Sequence, residues 1–328
     1  MAEMYYRARR LRGSETLRSM VRETRLSAET LIYPVFVKAG NNIQEPIPAM
    51  EGQYRYSVDR LGSLYDRLLE QRLRKVLFFG LPEKKDPQGS SAYQADGIIQ
   101  SALQYTAAQY PEIFRITDVC MCEYTSHGHC GILEGDQVDN DKTLPYLAKI
   151  ALSHAEAGAQ MLAPSDMMDG RVAVIRRALD SNGYTALPIL SYAVKYSSSF
   201  YGPFRIAADS TPAFGDRKTY QMDYHNQKEG IRAALKDIEE GADMVMVKPA
   251  LAYLDVIQRV ADRVMVPVVA YSVSGEYAMI KAAAHAGYMD EAQMVCESTV
   301  SIFRAGAQVL ISYYAPEIAR MIAQGRIG

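Results

Sequence analysis

The sequence has few cysteines, no long apolar run and no excess of charge of either sign. Four cysteines in 328 residues are too few for the disulfide framework of a small secreted protein. No apolar run approaches the roughly 20 residues of a membrane-spanning helix. The 36 basic and 38 acidic residues leave a formal net charge of −2, which argues against a partner such as nucleic acid or an anionic membrane.

The N-terminal segment lacks the features of a secretory signal. Its first residues, MAEMYYRARRLRGSETLRSMVRET, are basic and contain no apolar core, so a signal peptide is not expected. We therefore expect a soluble cytoplasmic protein. Residues 1–30 carry Arg7, Arg9, Arg10 and Arg12 and are predicted to form an N-terminal arm. The arm either packs on a neighbouring subunit or is a solvated, partly frayed terminus.

Short apolar runs alternate with longer amphipathic stretches along the rest of the chain. The runs are continuously apolar, which is typical of parallel strands that are covered on both faces. The stretches between them have apolar residues at the three- and four-residue spacing of helices. The predicted strands are Leu31–Val37, Lys75–Gly80, Arg115–Met121, Gln160–Pro164, Pro188–Lys195, Asp243–Lys248, Val266–Tyr271 and Gln308–Tyr313. The predicted helices are Pro145–Ala157, Arg171–Asn182, Glu229–Glu240, Leu251–Arg263, Tyr277–Ala286 and Glu291–Ala305.

The same glycine-containing turn recurs between a predicted helix and the strand that follows it. Gly158, Gly241 and Gly306 each precede an alanine, a polar residue and a strand, the place where a left-handed residue ends a helix. Eight strands with this repeated exit predict an α/β fold, a (β/α)8 TIM barrel over residues 31–328. The alternative is an open doubly wound sheet, but no G-x-G-x-x-G motif follows the first strand.

Two lysines close neighbouring predicted strands. Lys195 ends ILSYAVK and Lys248 ends MVMVK, so both lie at the edge of the barrel where active sites are found. Burial favours the neutral, nucleophilic amine, and two adjacent ammonium groups lower each other's pKa. Such a pair suits Schiff-base formation with carbonyl substrates. A single lysine in this position could instead extend its ammonium group to solvent.

Three of the cysteines cluster after the third strand. Cys120, Cys122 and Cys130 lie within DVCMCEYTSHGHCG, and residues two apart on an extended strand point the same way. Three thiolates predict a tetrahedral zinc site with one open position, which is typical of catalytic zinc. Reduced cysteines without a metal are the alternative. His127 or His129 could supply a fourth ligand, although a role beside the ligands is favoured.

A long segment with little periodicity follows Lys195. Residues 197–223 are predicted to form an active-site lid, because long irregular connections in compact domains are usually functional. The segment offers Arg205 and Arg217, which suit the capture of a carboxylate, and Gln221 as a further donor. These side chains could equally be solvated residues of an exposed loop.

The chain resembles the porphobilinogen synthases, also called 5-aminolevulinate dehydratases, over nearly its whole length. The segments that carry the resemblance are RRLRGSETLRSMVRET, DVCMCEYTSHGHCG, APSDMMDGRV, SYAVKYSSSFYGPFR, DMVMVKPALAYLD, AYSVSGEYAM and SYYAPE. The resemblance implies a barrel with an N-terminal arm, a homo-octamer, and the condensation of two 5-aminolevulinate molecules to porphobilinogen with loss of two waters.

The resemblance also implies individual roles. Lys248 would bind the first substrate as an imine and Lys195 the second, with Asp118 assisting proton transfer. Substrate-binding positions would be Ser274 and Tyr313 for the first carboxylate, Arg205, Arg217 and Gln221 for the second, and Ser165 and Tyr201 nearby. The three cysteines would hold catalytic Zn²⁺.

One position departs from many bacterial members of the family. A glutamate used there for an allosteric Mg²⁺ is replaced by Ala233, with Glu229 one turn away. The resemblance therefore implies that this magnesium site is weakened or absent. Two other functions remain open on the residues alone: a class I aldolase-type enzyme with one Schiff-base lysine, and a non-catalytic zinc-binding module with four protein ligands.

Overall fold

The computed structural model describes residues 6–328 of the chain. Eight of its strands run parallel to their neighbours and alternate with helices. The strands are β1 (Leu31–Lys38), β2 (Gln44–Pro46), β3 (Tyr54–Tyr56), β4 (Lys75–Leu81), β5 (Phe114–Val119), β6 (Leu133–Glu134), β7 (Gln137–Val138), β8 (Met161–Pro164), β9 (Leu190–Lys195), β10 (Met244–Lys248), β11 (Val268–Ser272) and β12 (Val309–Ser312).

The eight parallel strands close into a barrel in the order β8, β5, β4, β1, β12, β11, β10, β9. A parallel β-bridge between Leu162 of β8 and Ile189, which lies just before β9, joins the first and last strands of this order. β2 and β3 form a small antiparallel pair that extends the sheet beside β1, and β6 pairs with β7 separately. The predicted (β/α)8 barrel is confirmed, and the open doubly wound sheet is excluded.

Helices surround the barrel and bury one face each against it. α4 begins at Asn140, five residues before its predicted start, because the Asp139 side chain caps it by accepting the Lys142 N–H at 2.9 Å. The helices are α1 (Glu15–Met20), α2 (Leu61–Glu70), α3 (Ile98–Gln109), α4 (Asn140–Glu156), α5 (Arg171–Ser181), α6 (Gly202–Ala207), α7 (Gln227–Glu239), α8 (Leu254–Ala261), α9 (Ser274–His285), α10 (Glu291–Arg304) and α11 (Ala315–Ala323).

The core has two layers, as in other barrels of this kind. Strand residues fill the interior of the barrel and the space between strands and helices; β1 is buried from Leu31 to Val37 and β9 along its whole length. This burial on both faces explains the continuous apolar runs. Among the helices of residues 6–328, none has the length and apolar character needed to cross a membrane.

The N-terminal segment before β1 contains a 3-10 turn, Ala8–Arg12, followed by α1. Arg22 donates a hydrogen bond to the carbonyl oxygen of Gly328 at 2.8 Å, which ties this segment to the C-terminus. Residues 1–5 of the predicted arm lie outside the described residues. The division into an arm and a barrel stays a prediction.

The glycine exits have the backbone conformation that their sequence context predicts. Gly158, Gly241 and Gly306 have φ of +98°, +107° and +109°, which side-chain-bearing residues rarely adopt. Each glycine ends a helix and lets the chain turn directly into a barrel strand.

Replacing Gly158 by alanine should destabilise the protein for a purely conformational reason. A Cβ at this position would meet no atom within 4 Å, so the cost is that of the left-handed backbone, about 1–2 kcal/mol. Urea unfolding of Gly158→Ala should show that loss. The matched control is Gly13→Ala, since Gly13 has φ −69° and its replacement should leave stability unchanged or raised. Equal stability of the two variants would contradict this explanation.

Candidate functional site

Reactive side chains from several strands meet at the C-terminal mouth of the barrel. Ser165 follows β8, Ser274 begins α9 directly after β11, and Tyr313 follows β12. Asp118 lies in β5, and the two lysines end β9 and β10. All of them are buried. The mouth therefore gathers the predicted residues from six strands in one place.

The two lysines are direct neighbours. Lys195 and Lys248 are paired in the register of β9 and β10, and adjacent strands lie about 4.8 Å apart. Their side chains are only 5% and 4% exposed. The Lys195 amine donates a hydrogen bond to the backbone carbonyl of Ser165. The proximity expected from the sequence is thus observed.

Burial changes the acidity of Lys248. Desolvation, followed by the neighbouring charge of Lys195, lowers its pKa from 10.5 to about 7. Aromatic rings line its amine: the nitrogen lies 4.3 Å from the ring centre of Tyr271, 5.0 Å from that of Phe204 and 5.2 Å from that of Tyr201. The ring faces attract the ammonium form, but burial has the larger effect and lowers the pKa of Lys248. At neutral pH a large fraction of Lys248 is therefore the nucleophilic amine.

Tyr192 lies beneath both lysines and was not predicted from the sequence. Its ring centre is 5.6 Å from the Lys195 nitrogen and 5.1 Å from that of Lys248. On a regular strand, Tyr192 and Lys195 would face opposite sides, because they are three residues apart. The register between β9 and β10 shifts between Val245 and Val247, and this irregularity lets both side chains face the interior.

The cysteines form a compact, buried cluster. The sulfurs of Cys120 and Cys122 are 3.4 Å apart, and those of Cys120, Cys122 and Cys130 all lie within 4.8 Å of one another. The prediction that Cys120 and Cys122 lie on an extended strand is wrong, because β5 ends at Val119. Instead the chain turns after β5, with the Thr125 N–H bonded to the Met121 carbonyl at 2.9 Å.

Cys130 returns to the cluster through a tight loop at Gly128, which has φ +71°. Hydrogen bonds from the Cys120 and Cys122 thiols lower the pKa of Cys130, while burial raises that of Cys120. Three sulfurs at this spacing fit a soft or borderline divalent ion such as zinc, so the donor set is suited to the predicted metal.

Neither histidine of the cysteine loop belongs to the metal-binding groups found among the described residues. One nitrogen of the His129 ring lies 3.0 Å from the Tyr220 hydroxyl and the other 3.1 Å from the Phe214 carbonyl oxygen. The His127 ring contacts the Pro87 carbonyl at 3.3 Å. Both histidines therefore make hydrogen bonds that hold the loop, and their role relative to the metal stays a prediction.

Two carboxylates lie beside the thiols. Asp118 accepts a hydrogen bond from the Ser165 hydroxyl at 3.0 Å, and its other oxygen is buried without a partner. Burial and the charge of Glu123 raise the pKa of Asp118 to about 8, against the opposing effect of the lysines. Asp118 can therefore hold a proton near neutral pH, which suits proton transfer. Glu123, which sequence reasoning missed, is buried next to Cys122.

A small cavity connects these groups. Its volume is about 10 Å³, room for about one water molecule. Lysines, arginines, a cysteine and aromatic rings border it together: Phe79, Cys122, Glu123, Ser165, Lys195, Tyr201, Phe204, Arg205, Arg217 and Lys248. The two amines are thus buried, and the segment 197–223 contributes both arginines to the border of the same cavity.

The segment 197–223 closes over this cavity. Its ends meet above β9, because Ser197 donates to the Met222 carbonyl at 2.8 Å and Met222 donates to that of Lys195 at 3.1 Å. It is not entirely irregular, since it contains α6. Arg217 donates to the carbonyl oxygens of Gly128 and Ser210, which fastens the segment to the cysteine loop.

The remaining predicted substrate-binding residues are spread around the mouth. Tyr201 donates its hydroxyl to the Lys248 carbonyl at 3.1 Å, and the Tyr313 hydroxyl meets that of Tyr271 at 3.1 Å. The Ser274 hydroxyl accepts the Phe204 N–H at 2.9 Å. Gln221 is buried with both amide atoms unpartnered, and it borders a neighbouring cleft rather than the small cavity.

A buried glutamate supports the Lys248 strand end, and the sequence did not single it out. Glu276 accepts the backbone N–H groups of Ala250 and Leu251, and also that of Val273 at the start of its own helix. It thereby fixes the turn that follows Lys248. Capping of this kind predicts a positioning role through the backbone rather than contact with a reacting atom.

The position singled out for a second metal lies in the neighbouring cleft, which has a volume of about 960 Å³. Ala233 and Glu229 both border it, together with Asp237. Asp237 is already paired with Arg171 at 2.8 Å. The weakening of an allosteric Mg²⁺ site by Ala233 stays a prediction.

Comparison with known proteins assigns this site to one family. Residues 5–321 match the family model described as delta-aminolevulinic acid dehydratase. Proteins of that name from Methanothermus sociabilis and Staphylococcus aureus are 55% and 51% identical over 318 residues, covering 97% and 96% of this chain and 99% and 98% of their own.

A solved structure agrees with these sequences. The delta-aminolevulinic acid dehydratase (porphobilinogen synthase) of Toxoplasma gondii, in complex with the reaction product porphobilinogen, superposes with a TM-score of 0.96 at 41% identity. The match covers 99% of this chain and 93% of that one. The resemblance drawn from the motifs is confirmed: the chain belongs to the delta-aminolevulinic acid dehydratase family.

Proposed function

We propose that the chain is a lyase that condenses two molecules of 5-aminolevulinate to porphobilinogen, with loss of two waters, in tetrapyrrole (heme) biosynthesis. Its family and the porphobilinogen-bound relative support this activity. The observation that carries the proposal is the register pairing of two buried lysines, Lys195 and Lys248. Two equivalent ketone substrates call for two amines, whereas a class I aldolase-type reaction would use only one.

Lys248 attacks the C4 ketone of the first substrate, and Lys195 that of the second. Each imine makes its carbon more electrophilic and acidifies the adjacent C–H, so a carbon–carbon bond can form near neutral pH. Asp118, with its raised pKa, donates or accepts a proton beside both amines. The Ser165 hydroxyl donates a hydrogen bond to the Asp118 carboxyl group, and the backbone carbonyl oxygen of Ser165 accepts one from the Lys195 amine.

Cys120, Cys122 and Cys130 hold a zinc ion in this proposal. The sulfur donors and their spacing support this metal over the oxygen-preferring Mg²⁺. When bound, zinc supplies Lewis acidity or a hydroxide at the second substrate. A non-catalytic zinc module is disfavoured, because the cluster borders the same cavity as both lysines through Cys122.

The segment 197–223 acts as a lid in this proposal. The cavity below it is too small for either substrate, so the lid opens to admit them and then excludes water, which would hydrolyse an imine. Arg205 and Arg217 border the cavity and bind the carboxylate of the second substrate, with Gln221 turning in from the adjoining cleft. Ser274 and Tyr313 bind the carboxylate of the first substrate, and Tyr201 lies beside them.

We further propose a cytoplasmic homo-octamer in which the N-terminal arm, residues 1–30, packs on a neighbouring subunit. The basic side chains of the arm and the exposed Leu11, Met20 and Val21 support such a contact. The only small-molecule partner required is 5-aminolevulinate, with no nucleic acid or membrane partner.

Borohydride reduction in the presence of 5-aminolevulinate should attach substrate mass to the peptide that contains Lys248. Lys248→Met should abolish this adduct and reduce kcat by roughly 1,000-fold or more, because the nucleophile is lost. Peptide mass spectrometry and a colour reaction specific for pyrroles give the two readouts. Lys149→Met, which removes an exposed lysine, should change neither. Recovery of wild-type Lys248 only in unmodified form would rule out the imine.

Removing two thiols should remove the metal. The double variant Cys120→Ala, Cys122→Ala should lose stoichiometric zinc and most of its activity, roughly 100-fold or more, because one sulfur alone binds zinc weakly. Elemental analysis and the pyrrole assay measure both effects. Cys296→Ala, outside the cluster, should keep zinc and activity. Full activity in a zinc-free double variant would contradict a catalytic metal.

A further inference from the structure

The C-terminal end of α6 is held from outside the cavity by an arginine of β3. The Nε atom of Arg55 donates a hydrogen bond to the carbonyl oxygen of Ala207 at 2.7 Å, and one Nη atom donates to that of Ile206 at 2.6 Å. The last carbonyl groups of a helix have no N–H partner within the helix, so they need donors from elsewhere. The planar guanidinium group supplies two of these donors in one bidentate contact.

Arg55 is itself fixed in place by the two strands beside it. It lies directly opposite Glu45 in the antiparallel pairing of β2 and β3, and opposite Phe36 in the parallel pairing of β3 and β1. Its other Nη atom donates to the Glu45 carboxylate, which also accepts a hydrogen bond from Lys38. The Arg55 side chain is only 13% exposed. Such a guanidinium group loses little conformational freedom when it meets the two carbonyl groups, unlike the long side chains of an exposed ion pair.

The helix that Arg55 holds carries two residues of the proposed active site. The Phe204 ring centre lies 5.0 Å from the Lys248 nitrogen, and Arg205 borders the small cavity. The Phe204 N–H is bonded to the Ser274 hydroxyl at 2.9 Å, whereas Arg55 binds the last two residues of the helix. With six residues, α6 is too short to be stable on its own. The position of its side chains therefore depends on these contacts.

A weaker contact supports the turn that follows α6. Lys85, in the loop after β4, donates hydrogen bonds to the backbone carbonyl of Asp209 and, at 2.7 Å, to its carboxylate. Asp209 has φ +48°, which residues with a side chain rarely adopt. The Asp209 side chain is 76% exposed, and exposed ion pairs contribute little to stability. Arg55 is therefore the main support of this end of the helix.

We propose that Arg55 is a positioning residue for the condensation: it holds α6 in the closed form of the lid and thereby orients Arg205 toward the carboxylate of the second substrate. The roles of Arg205 and of the lid rest on the proposed function, whereas the contact between Arg55 and α6 does not. Among the described residues that border the small cavity, none belongs to β2 or β3, so Arg55 acts through α6 and not on the substrate. When the lid opens, Glu45 keeps the guanidinium group in place to bind the two carbonyl groups again.

The shape of the guanidinium group matters here as well as its charge. A lysine has one nitrogen, which cannot reach two successive carbonyl oxygens and Glu45 in one plane. A positive charge at a helix C-terminus is favourable by itself, but this effect is small at the end of so short a helix. Arg55→Lys should therefore behave more like Arg55→Ala than like the wild-type protein.

Hydrogen–deuterium exchange of the substrate-free protein measures the contact without any reaction. In Arg55→Ala, the backbone amides of residues 204–210 should exchange at least about tenfold faster than in wild type, because two charge-assisted hydrogen bonds are lost. Arg55→Lys should show most of this increase, and the amides of β9 and β10 should be unchanged in both variants. The matched control is Arg177→Ala, which removes an exposed arginine of α5 that donates to a carbonyl of its own helix. It should exchange like wild type throughout.

Steady-state kinetics in the pyrrole assay test whether the contact serves the reaction. In Arg55→Ala, the KM for 5-aminolevulinate should rise about tenfold while kcat changes less than about threefold, because the carboxylate is bound less well but both lysines stay in place. Arg205→Ala should also raise KM. Adding Arg55→Ala to Arg205→Ala should raise it little further, because Arg55 acts through Arg205.

The alternative outcomes are distinct. Unchanged exchange over residues 204–210 in Arg55→Ala would overturn the contact as the support of α6. Faster exchange in β9 and β10 as well would also overturn it, since that would show a loss of stability of the whole barrel. Faster local exchange with an unchanged KM would overturn the role of Arg55 in the reaction, and wild-type behaviour of Arg55→Lys would overturn the bidentate contact.

Failure of the wild-type protein to form porphobilinogen would overturn the proposed function and the kinetic role of Arg55. The exchange measurement would still decide whether Arg55 holds α6. If Arg55→Ala does not fold, Glu45→Ala, which removes the partner that orients Arg55, should increase exchange over residues 204–210 by about threefold or more. Exchange equal to that of wild type in this variant would overturn the proposal.

Discussion

The site depends on the placement of two amines side by side in a buried sheet. Lys195 and Lys248 end adjacent parallel strands in direct register, so the barrel itself fixes how close they are. Neither nitrogen can be solvated as in water, and each ammonium group opposes the charge of the other. The consequence is visible at Lys248, whose pKa falls to about 7 mainly through burial. On an exposed loop Lys248 would stay charged and would not be nucleophilic.

The rest of the mouth is arranged around that constraint. The aromatic rings of Tyr192, Tyr271 and Phe204 surround the Lys248 amine, and Lys248 also borders the small cavity. Glu276 fixes the turn that follows the same lysine by accepting backbone N–H groups. The cysteine loop and the segment 197–223 are fastened to each other through Arg217 and Gly128. A movement of this segment would therefore also displace the loop that carries Cys130.

Sequence patterns predicted the parts of this arrangement that follow from periodicity and chain order. Buried parallel strands read as apolar runs, so the ends of β9 and β10, and with them both lysines, could be located. The glycines that end the helices were equally predictable, because residues with a side chain rarely adopt their φ. The position of Tyr192 beside the lysines was not predictable, since the shift in the β9–β10 register breaks the two-residue alternation of side chains along the strand. Glu123 was hidden because adjacent residues on a strand would diverge, and only the turn after Val119 brings its carboxylate to the Cys122 sulfur. The assignment of one lysine to each substrate came from the family resemblance, not from the residues.

Burial next to a second amine leaves about half of Lys248 neutral near pH 7. Nuclear magnetic resonance titration of protein with isotopically labelled lysine, with the Lys248 signal assigned through Lys248→Met, measures this directly. The pKa of Lys248 should lie near 7, so that its neutral fraction grows as the pH rises through that value, and it should increase in Lys195→Met, where the neighbouring charge is absent. A pKa near 10.5 in the wild-type protein, or one that does not change in Lys195→Met, would contradict the account.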